Sequence, residues 1–228
     1  REIEKEDSRV QVFTFPKSPR TGEPYRDAII RRTTGKIICY CCHDDLWLPD
    51  HIEEVEKTLQ RCRFTHSIHA YVAVPRYLTN EDDLFGGIYW IDLKKQDIIN
   101  QMFKGENFFG LTFGAHSRDG YYQLNEGWVT TPRLEIPTDL YMWQKFLSAF
   151  ARQCRTTRKV TALNFRRIDR QDWSEEQREI ELKDYFEKIK DPMYLKKLRI
   201  LANRSCPFFC QRITMNWLDR IDRWWSRF

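Results

Sequence analysis

The feature that most constrains this chain is an apolar segment that ends in two adjacent carboxylates. Residues 35–53 read GKIICYCCHDDLWLPDHIE. The unbroken apolar run at residues 37–42 is typical of a strand that is covered on both faces within a parallel sheet. Asp44 and Asp45 follow it. Because neighbouring carboxylates repel each other and are costly to desolvate, we expect a cation beside them.

A helix is predicted directly after the acidic pair. Asp50 stands at the N-cap position, and Glu53 follows three residues later. The apolar residues that recur at helical spacing and predict the buried face of this helix are Ile52, Val55, Leu59 and Cys62. Open α/β folds bind their ligands at the C-terminal ends of parallel strands, so the acidic pair lies where a binding site is expected.

This order of strand, acidic pair, Trp-Leu-Pro turn and helix resembles the DxD region of the family 2 glycosyltransferases, which have the GT-A fold. The family pattern is approximately Asp-x-Asp-Asp-Leu-x-x-Pro-x-x-Leu/Ile-Glu. Other segments that resemble the family, in its order, are RDAIIRRTTG from Arg26, GLTFGAH from Gly110, the pair Gly127-Trp128, and PTDLYMW from Pro137. The resemblance covers about residues 9–170.

The chain departs from the family pattern at three points. Cys42 occupies the place of the first Asp of the DxD motif, and His43 occupies its middle place. The opening strands that bind the nucleotide base have no counterpart, so we expect the chain to lack that half of the site. No Gln-x-x-Arg-Trp motif follows Asp139, which argues against the processive polysaccharide synthases.

The resemblance implies a function and a metal site. The function is inverting, non-processive transfer of a sugar from a nucleotide-diphosphate sugar to a hydroxyl of a saccharide or lipid-linked acceptor. Asp44 and Asp45 would bind Mg²⁺ or Mn²⁺, which bridges the diphosphate and neutralises the leaving group. The plainer interpretation is that one carboxylate caps the following turn and the other is solvated.

The resemblance also implies the remaining site residues. Asp139 would be the catalytic base that deprotonates the acceptor hydroxyl, with Glu135 as the substitute if its helix begins earlier. Arg26, Asp45 and His116 would contact the substrate. In the plainer interpretation Asp139 only stabilises the helix dipole, and His116 is a loop residue bonded to the backbone.

Two other classes of protein remain open. One is a non-catalytic, GT-A-like binding module whose metal site has decayed, and Cys42 favours it. The other is a nucleotidyltransferase, which has a similar sheet and metal site. A zinc site formed by Cys39, Cys41, Cys42 and His43 is not expected, because adjacent strand positions diverge and no second Cys pair stands at C-x₂-C spacing.

The predicted fold is α/β, with a GT-A-like, mostly parallel sheet flanked by helices over residues 1–170 and a helical extension over residues 171–228. The predicted strands are residues 10–15, 37–42, 68–74 and 108–113, with residues 85–91 as a strand or loop. The predicted later helices begin at Thr138, at Ser174 with a capping box, at Pro192 and at Pro207.

Composition bears on partners and location. The net charge of +5 comes from 38 basic and 33 acidic residues dispersed along the chain, so no nucleic-acid partner is expected. No apolar run approaches a membrane span, and the cysteines look reduced, which predicts the cytoplasm. The basic, Trp-rich stretch at residues 204–228 predicts either a helix that contacts the inner membrane surface or one packed on its own domain.

Overall fold

The computed structural model describes residues 2–74, 87–88 and 90–204, and these form an α/β fold. The strands are Ile37–Cys39 (β1), Asp45–Trp47 (β2), Phe64–Tyr71 (β3), Gly87–Ile88 (β4), Gly114–Ser117 (β5) and Cys154–Asn164 (β6). The helices are Glu2–Glu6 (α1), Glu23–Ile30 (α2), His51–Leu59 (α3), Gln96–Phe103 (α4), Arg118–Tyr122 (α5), Thr138–Ala149 (α6), Glu175–Lys188 (α7) and Pro192–Arg204 (α8).

The prediction of a mostly parallel sheet is wrong for the described strands. The sheet has the order β1-β5-β3-β6-β2, with β4 paired to β3. Only β3 and β6 run parallel among them, while the other pairs are antiparallel. The apolar run predicted a strand covered on both faces. Such a run indicates only that a segment is buried, and it carries no information about the direction of the neighbouring strands. Only Ile37–Cys39 of that run is strand, and it lies at the edge of the sheet.

Other strand predictions differ in extent. Residues 10–15 form no regular element, and Phe15 instead stacks on Tyr25 with ring centroids 4.3 Å apart. Residues 108–113 end in a 3-10 turn at Leu111–Phe113, and the strand begins only at Gly114. Within the segment 85–91, Gly87–Ile88 are strand, whereas residues 85, 86 and 89 lie outside the described residues.

The later helices agree better with the sequence. α7 has the predicted capping box, in which Ser174 Oγ accepts from Gln177 N and Ser174 N donates to Gln177 Oε1. α8 begins at Pro192 as predicted. Thr138 is the first residue of α6 rather than its N-cap, which is Pro137. The helix predicted from Pro207 lies outside the described residues.

The predicted buried face of α3 is confirmed at Val55 and Leu59, and Cys62 is buried just beyond the helix, whereas the prediction for Ile52 is wrong. Ile52 is 47% exposed, whereas His51 is buried beside Val55 and Leu59. Asp50 stands at the N-cap but makes no capping hydrogen bond. Its carboxylate pairs with Lys159 of β6 and with Arg199 of α8. These ion pairs explain why the capping motif at this helix is not used.

Three apolar clusters build the core of the described residues, and two of them are large. The first surrounds Trp143 of α6, which packs on Phe64 so closely to β5 that a Cβ at Gly114 would overlap its indole ring. The second joins strands β3 and β6 to the last two helices through Ile189 of the α7 C-cap and Leu198 of α8. The described part of the extension therefore packs directly on the sheet.

Candidate functional site

A cleft of about 590 Å³ brings together four of the predicted site residues. Arg26 reaches it from α2, and Asp139 from the first turn of α6. Asp45 is the first residue of β2, and Asp44 lies in the turn before it. Other residues that line it and are discussed below are Arg20, Cys42, His69, Tyr71, Asn107 and Asn164. Segments that are far apart in the sequence thus meet in one concave surface.

The register of the sheet sets the floor of this cleft. Asp45 of β2 pairs with Asn164 of β6, and Asn164 pairs with Tyr71 of β3. Side chains at paired positions lie on the same face of a sheet, and a residue two positions away lies on that face too. His69 therefore joins this row, two residues before Tyr71.

Asp45 is a buried carboxylate, with 7% of its surface exposed. Its Oδ2 accepts a hydrogen bond from Thr112 Oγ1 at 2.5 Å, and its Oδ1 accepts one from Asn164 Nδ2 at 2.7 Å. Burial raises the pKa of Asp45 to about 6, and the charge of Asp44 adds to this, whereas the hydrogen bonds oppose it. A cation nearby would offset the cost of ionising this group.

Cys42, Asp44 and Asp45 form a cluster that could hold a cation. One ligand atom from each lies within 4.8 Å of the others. Thr112 links them, because its Oγ1 accepts from Cys42 N at 3.1 Å and donates to Asp45. Burial raises the pKa of the Cys42 thiol. The donor set of one sulfur and two carboxylates suits a divalent ion that keeps some ligands for water or a substrate oxygen.

Asp139 has the surroundings of a proton acceptor. Its Oδ1 accepts hydrogen bonds from Leu140 N at 2.9 Å and from Asn107 Nδ2 at 3.1 Å. Burial raises the pKa of Asp139, while these bonds and the charge of Arg26 lower it. A cleft carboxylate with a raised pKa is suited to general-base chemistry. Glu135 is exposed and does not line the cleft.

Two arginines border the cleft. The Arg26 guanidinium lies 5.1 Å above the Trp128 ring, and its charge lowers the pKa values of Asp139 and Cys42. Arg20, which sequence reasoning missed, donates to the carbonyls of residues 131, 133, 134 and 136. It therefore holds the segment that leads into α6 and so positions Asp139.

His116 lies elsewhere. It is fully buried within β5, where its Nε2 bonds to Tyr40 Oη at 2.6 Å and its Nδ1 to Ser117 O at 3.1 Å. Burial lowers the pKa of His116 to about 4. His116 does not line the cleft, so the cleft gives no support to its predicted contact with substrate. The plainer interpretation, a histidine bonded to the backbone, agrees with the structure, except that His116 lies in a strand and not in a loop.

Several residues in or beside the cleft carried no functional signal in the sequence. Thr112, Asn107 and Asn164 hold the carboxylates, but their importance depends on pairings across the sheet. His69 sits within β3 like any strand residue. The signal that could have drawn attention to it is a histidine inside an otherwise buried strand.

Comparison with known proteins assigns no family, since no family model matches this chain and no curated protein matches it. In the part of the chain that the structure describes, none of the helices is long and apolar enough to cross a membrane.

Proposed function

We propose that this chain belongs to a metal-dependent, inverting, non-processive glycosyltransferase with a GT-A-like site on a mixed sheet. The donor would be a nucleotide-diphosphate sugar, and the acceptor a hydroxyl of a saccharide or a lipid-linked saccharide. The observation that carries the proposal is that Asp44 and Asp45 line the same cleft as Asp139. A transferase of this kind needs both a cation site for the leaving group and a separate base for the attacking group.

The acidic pair and Asp139 would divide the chemistry between them. Mg²⁺ or Mn²⁺ held by Asp44 and Asp45 would neutralise the charge that develops on the leaving diphosphate. Asp139 accepts the proton of the acceptor hydroxyl while the hydroxyl oxygen forms a bond to the anomeric carbon. The bond from that carbon to the phosphate breaks on the opposite face, so the configuration inverts. Arg26 supplies positive charge beside Asp139 and favours its ionised form.

The experiment compares two carboxylate variants of the full-length protein. Release of nucleoside diphosphate is measured with Mn²⁺ and a panel of nucleotide-diphosphate sugars. Asp139→Asn is expected to lower the rate about 10²- to 10⁴-fold, the usual contribution of a general base. Glu135→Gln, which alters an exposed carboxylate outside the cleft, should keep the wild-type rate. An Asp139→Asn enzyme that works at the wild-type rate would exclude this assignment.

A second candidate is a non-catalytic binding module, which the thiol of Cys42 in the carboxylate cluster favours. Titrating Mn²⁺ together with UDP or GDP separates the two functions. A transferase site binds the nucleoside diphosphate more tightly when Mn²⁺ is present. A decayed site shows no such metal dependence.

We also propose a cytoplasmic location, with reversible contact to the inner membrane surface through residues 207–228. These residues lie outside the described part of the chain. Each basic residue near an anionic leaflet contributes on the order of 1 kcal/mol, so the attachment would be sensitive to salt. Co-sedimentation with anionic vesicles tests it, and binding that survives deletion of residues 207–228 would overturn it.

A further inference from the structure

Strand β1 has the side chains of an interior strand but the position of an edge strand. It ends the sheet, and β5 is its one partner among the described strands. Ile38 packs into the large cluster around Trp143, while Ile37 and Cys39 pack against the cluster of α3. Edge strands are usually protected by charges or prolines, yet residues 37–42 include neither. A strand that is apolar on both faces is typical of the inside of a sheet.

The outer edge of β1 has unpaired backbone groups. Arg118 N donates to Lys36 O at 2.9 Å, and the ladder continues from this pair through β1. Bonded and non-bonded pairs alternate along an antiparallel ladder, so the backbone of Ile38 bonds to β5. The N–H and C=O groups of Ile37 and Cys39 point away from β5, and no residue of the described ranges forms a backbone hydrogen bond with them.

A groove of about 700 Å³ lies at this edge. Residues 37–40 line it, and so do Arg9, Gln11 and Phe13. These three residues alternate along the sequence, which is the spacing of side chains on one face of an extended chain. Neighbouring strands in a sheet lie ~4.8 Å apart, so a strand added to the free edge of β1 would lie in this groove.

The groove is basic. Arg9, Arg26 and Arg32 line it, and none of its described lining residues is acidic, although the whole chain has 33 acidic residues against 38 basic ones. Asp7 pairs with Arg9 from outside the groove. The Arg32 guanidinium lies 5.8 Å from the Phe13 ring and forms no ion pair within the described ranges. Acidic side chains on an occupant would therefore complement the groove.

We propose that this groove is a docking site for an extended acidic peptide, which joins the sheet as a further strand beside β1. Main-chain hydrogen bonds to Ile37 and Cys39 supply affinity, and acidic side chains near Arg26 and Arg32 select the partner. The middle of the peptide is apolar, because it continues the two covered faces of β1. The added strand also gives a neighbour to residues 10–15, which were predicted as a strand and form no regular element. The docking site is independent of the proposed sugar transfer.

The test measures how a fluorescein-labelled peptide, Glu-Asp-Val-Thr-Val-Thr-Asp-Glu, binds the full chain, by fluorescence anisotropy. We expect saturable binding that weakens as salt is added. A peptide with Lys at each acidic position should not bind. The acidic peptide with N-methylated backbone amides should not bind either, because it cannot form the ladder. Failure of the acidic peptide to bind, or equal binding of all three peptides, would overturn the proposal.

Amide hydrogen exchange locates the bound peptide. In the free protein the N–H groups of Ile37 and Cys39 should exchange quickly, whereas that of Ile38, which bonds to β5, should exchange slowly. The acidic peptide should slow exchange at Ile37 and Cys39. Binding that leaves both rates unchanged would place the peptide elsewhere and exclude the groove.

Two neighbouring arginines test the role of charge. Arg32→Gln should weaken peptide binding about two- to fivefold, the range for an exposed ion pair. Arg31→Gln is the matched control, because Arg31 pairs with Asp27 and does not line the groove, and it should keep the wild-type affinity. Circular dichroism shows that both variants are folded. Equal affinities of the two variants would contradict recognition by the arginines of the groove.

Light scattering separates the peptide from a second copy of the chain as the occupant. The free protein should have the mass of one chain. A dimer in which the N–H groups of Ile37 and Cys39 already exchange slowly would show that a second copy fills the groove, and would overturn the proposal.

Discussion

The side-chain amide of Asn107 donates a hydrogen bond to Oδ1 of Asp139 across 3.1 Å. This bond favours the ionised carboxylate and opposes the burial that raises the pKa of Asp139. The two residues lie on different segments, and both line the cleft. Asn107 is thus a positioning residue for the proposed base, and its removal has a defined consequence.

Asn107→Ala is expected to raise the pKa of Asp139 further. A general base works in its deprotonated form, so the acid limb of the rate profile should move to higher pH, while the plateau rate changes less. The pH dependence of kcat/KM measures this shift. Asn100→Ala is the control, because Asn100 is exposed on α4 and its side chain bonds only to Gln96 in the described structure. An unmoved acid limb in Asn107→Ala would contradict the assignment.

Glu181→Ala is expected to destabilise the protein strongly. Its carboxylate forms two hydrogen bonds with Arg170, whose side chain is only 1% exposed. Removing one partner leaves a buried charge unpaired, which costs about 3–5 kcal/mol of unfolding free energy.

Urea unfolding compares this variant with Glu179→Ala on the same helix. Glu179 pairs with Lys183 on the surface, where solvent screens the pair, so this loss should be much smaller than that of Glu181→Ala. Equal losses of unfolding free energy in the two variants would show that the buried pair stabilises the fold no more than the surface pair does.

Gly114→Ala is expected to destabilise the fold through overpacking. A Cβ at this position would overlap the indole of Trp143, which is itself fully buried. Forcing a methyl group into a filled core costs about 1–3 kcal/mol. Gly35→Ala is the matched control, because its Cβ would meet only a carbonyl at 3.6 Å, which is ordinary contact. Thermal unfolding of both variants distinguishes a local clash from a general intolerance of alanine.

The protein is expected to lose stability in mild acid. Burial lowers the pKa values of His51 and His116 to about 4, that of His69 to about 3, and that of His66 well below its usual range. Below about pH 6.5 the unfolded chain binds these protons and the folded chain does not, so stability falls as the pH falls towards 4. Asp45, whose pKa is raised to about 6, opposes this by binding a proton in the folded state.

Asp139, whose pKa is also raised by burial, acts in the same direction as Asp45, but the four histidines outnumber these two carboxylates, so the net effect is a loss of stability as the pH falls. Urea unfolding at several pH values measures the slope. A free energy of unfolding that stays level from about pH 7 to pH 5 would show that the four histidines do not remain neutral in the fold.

Local patterns predicted the elements whose signals are local. The capping box at Ser174 and the proline at 192 mark helices that the structure contains. The acidic pair and Asp139 stand in segments that meet in one cleft. The direction of the strands was not predictable, because an apolar run reports burial and not its neighbours. The roles of Thr112 and Asn164 follow from pairings across the sheet, which no single segment encodes.

The pairing of β2 with β6 has a consequence for the order of folding. Asp45 receives its hydrogen bond from Asn164, a residue 119 positions later in the chain. Contacts so distant along the chain form only after a long loop has closed, and proteins rich in them fold slowly. While the chain is being synthesised, the acidic pair is therefore present before Asn164 of β6, the residue that holds Asp45. The proposed metal site would therefore be complete only at the end of folding, and an unfinished chain would not capture an ion early.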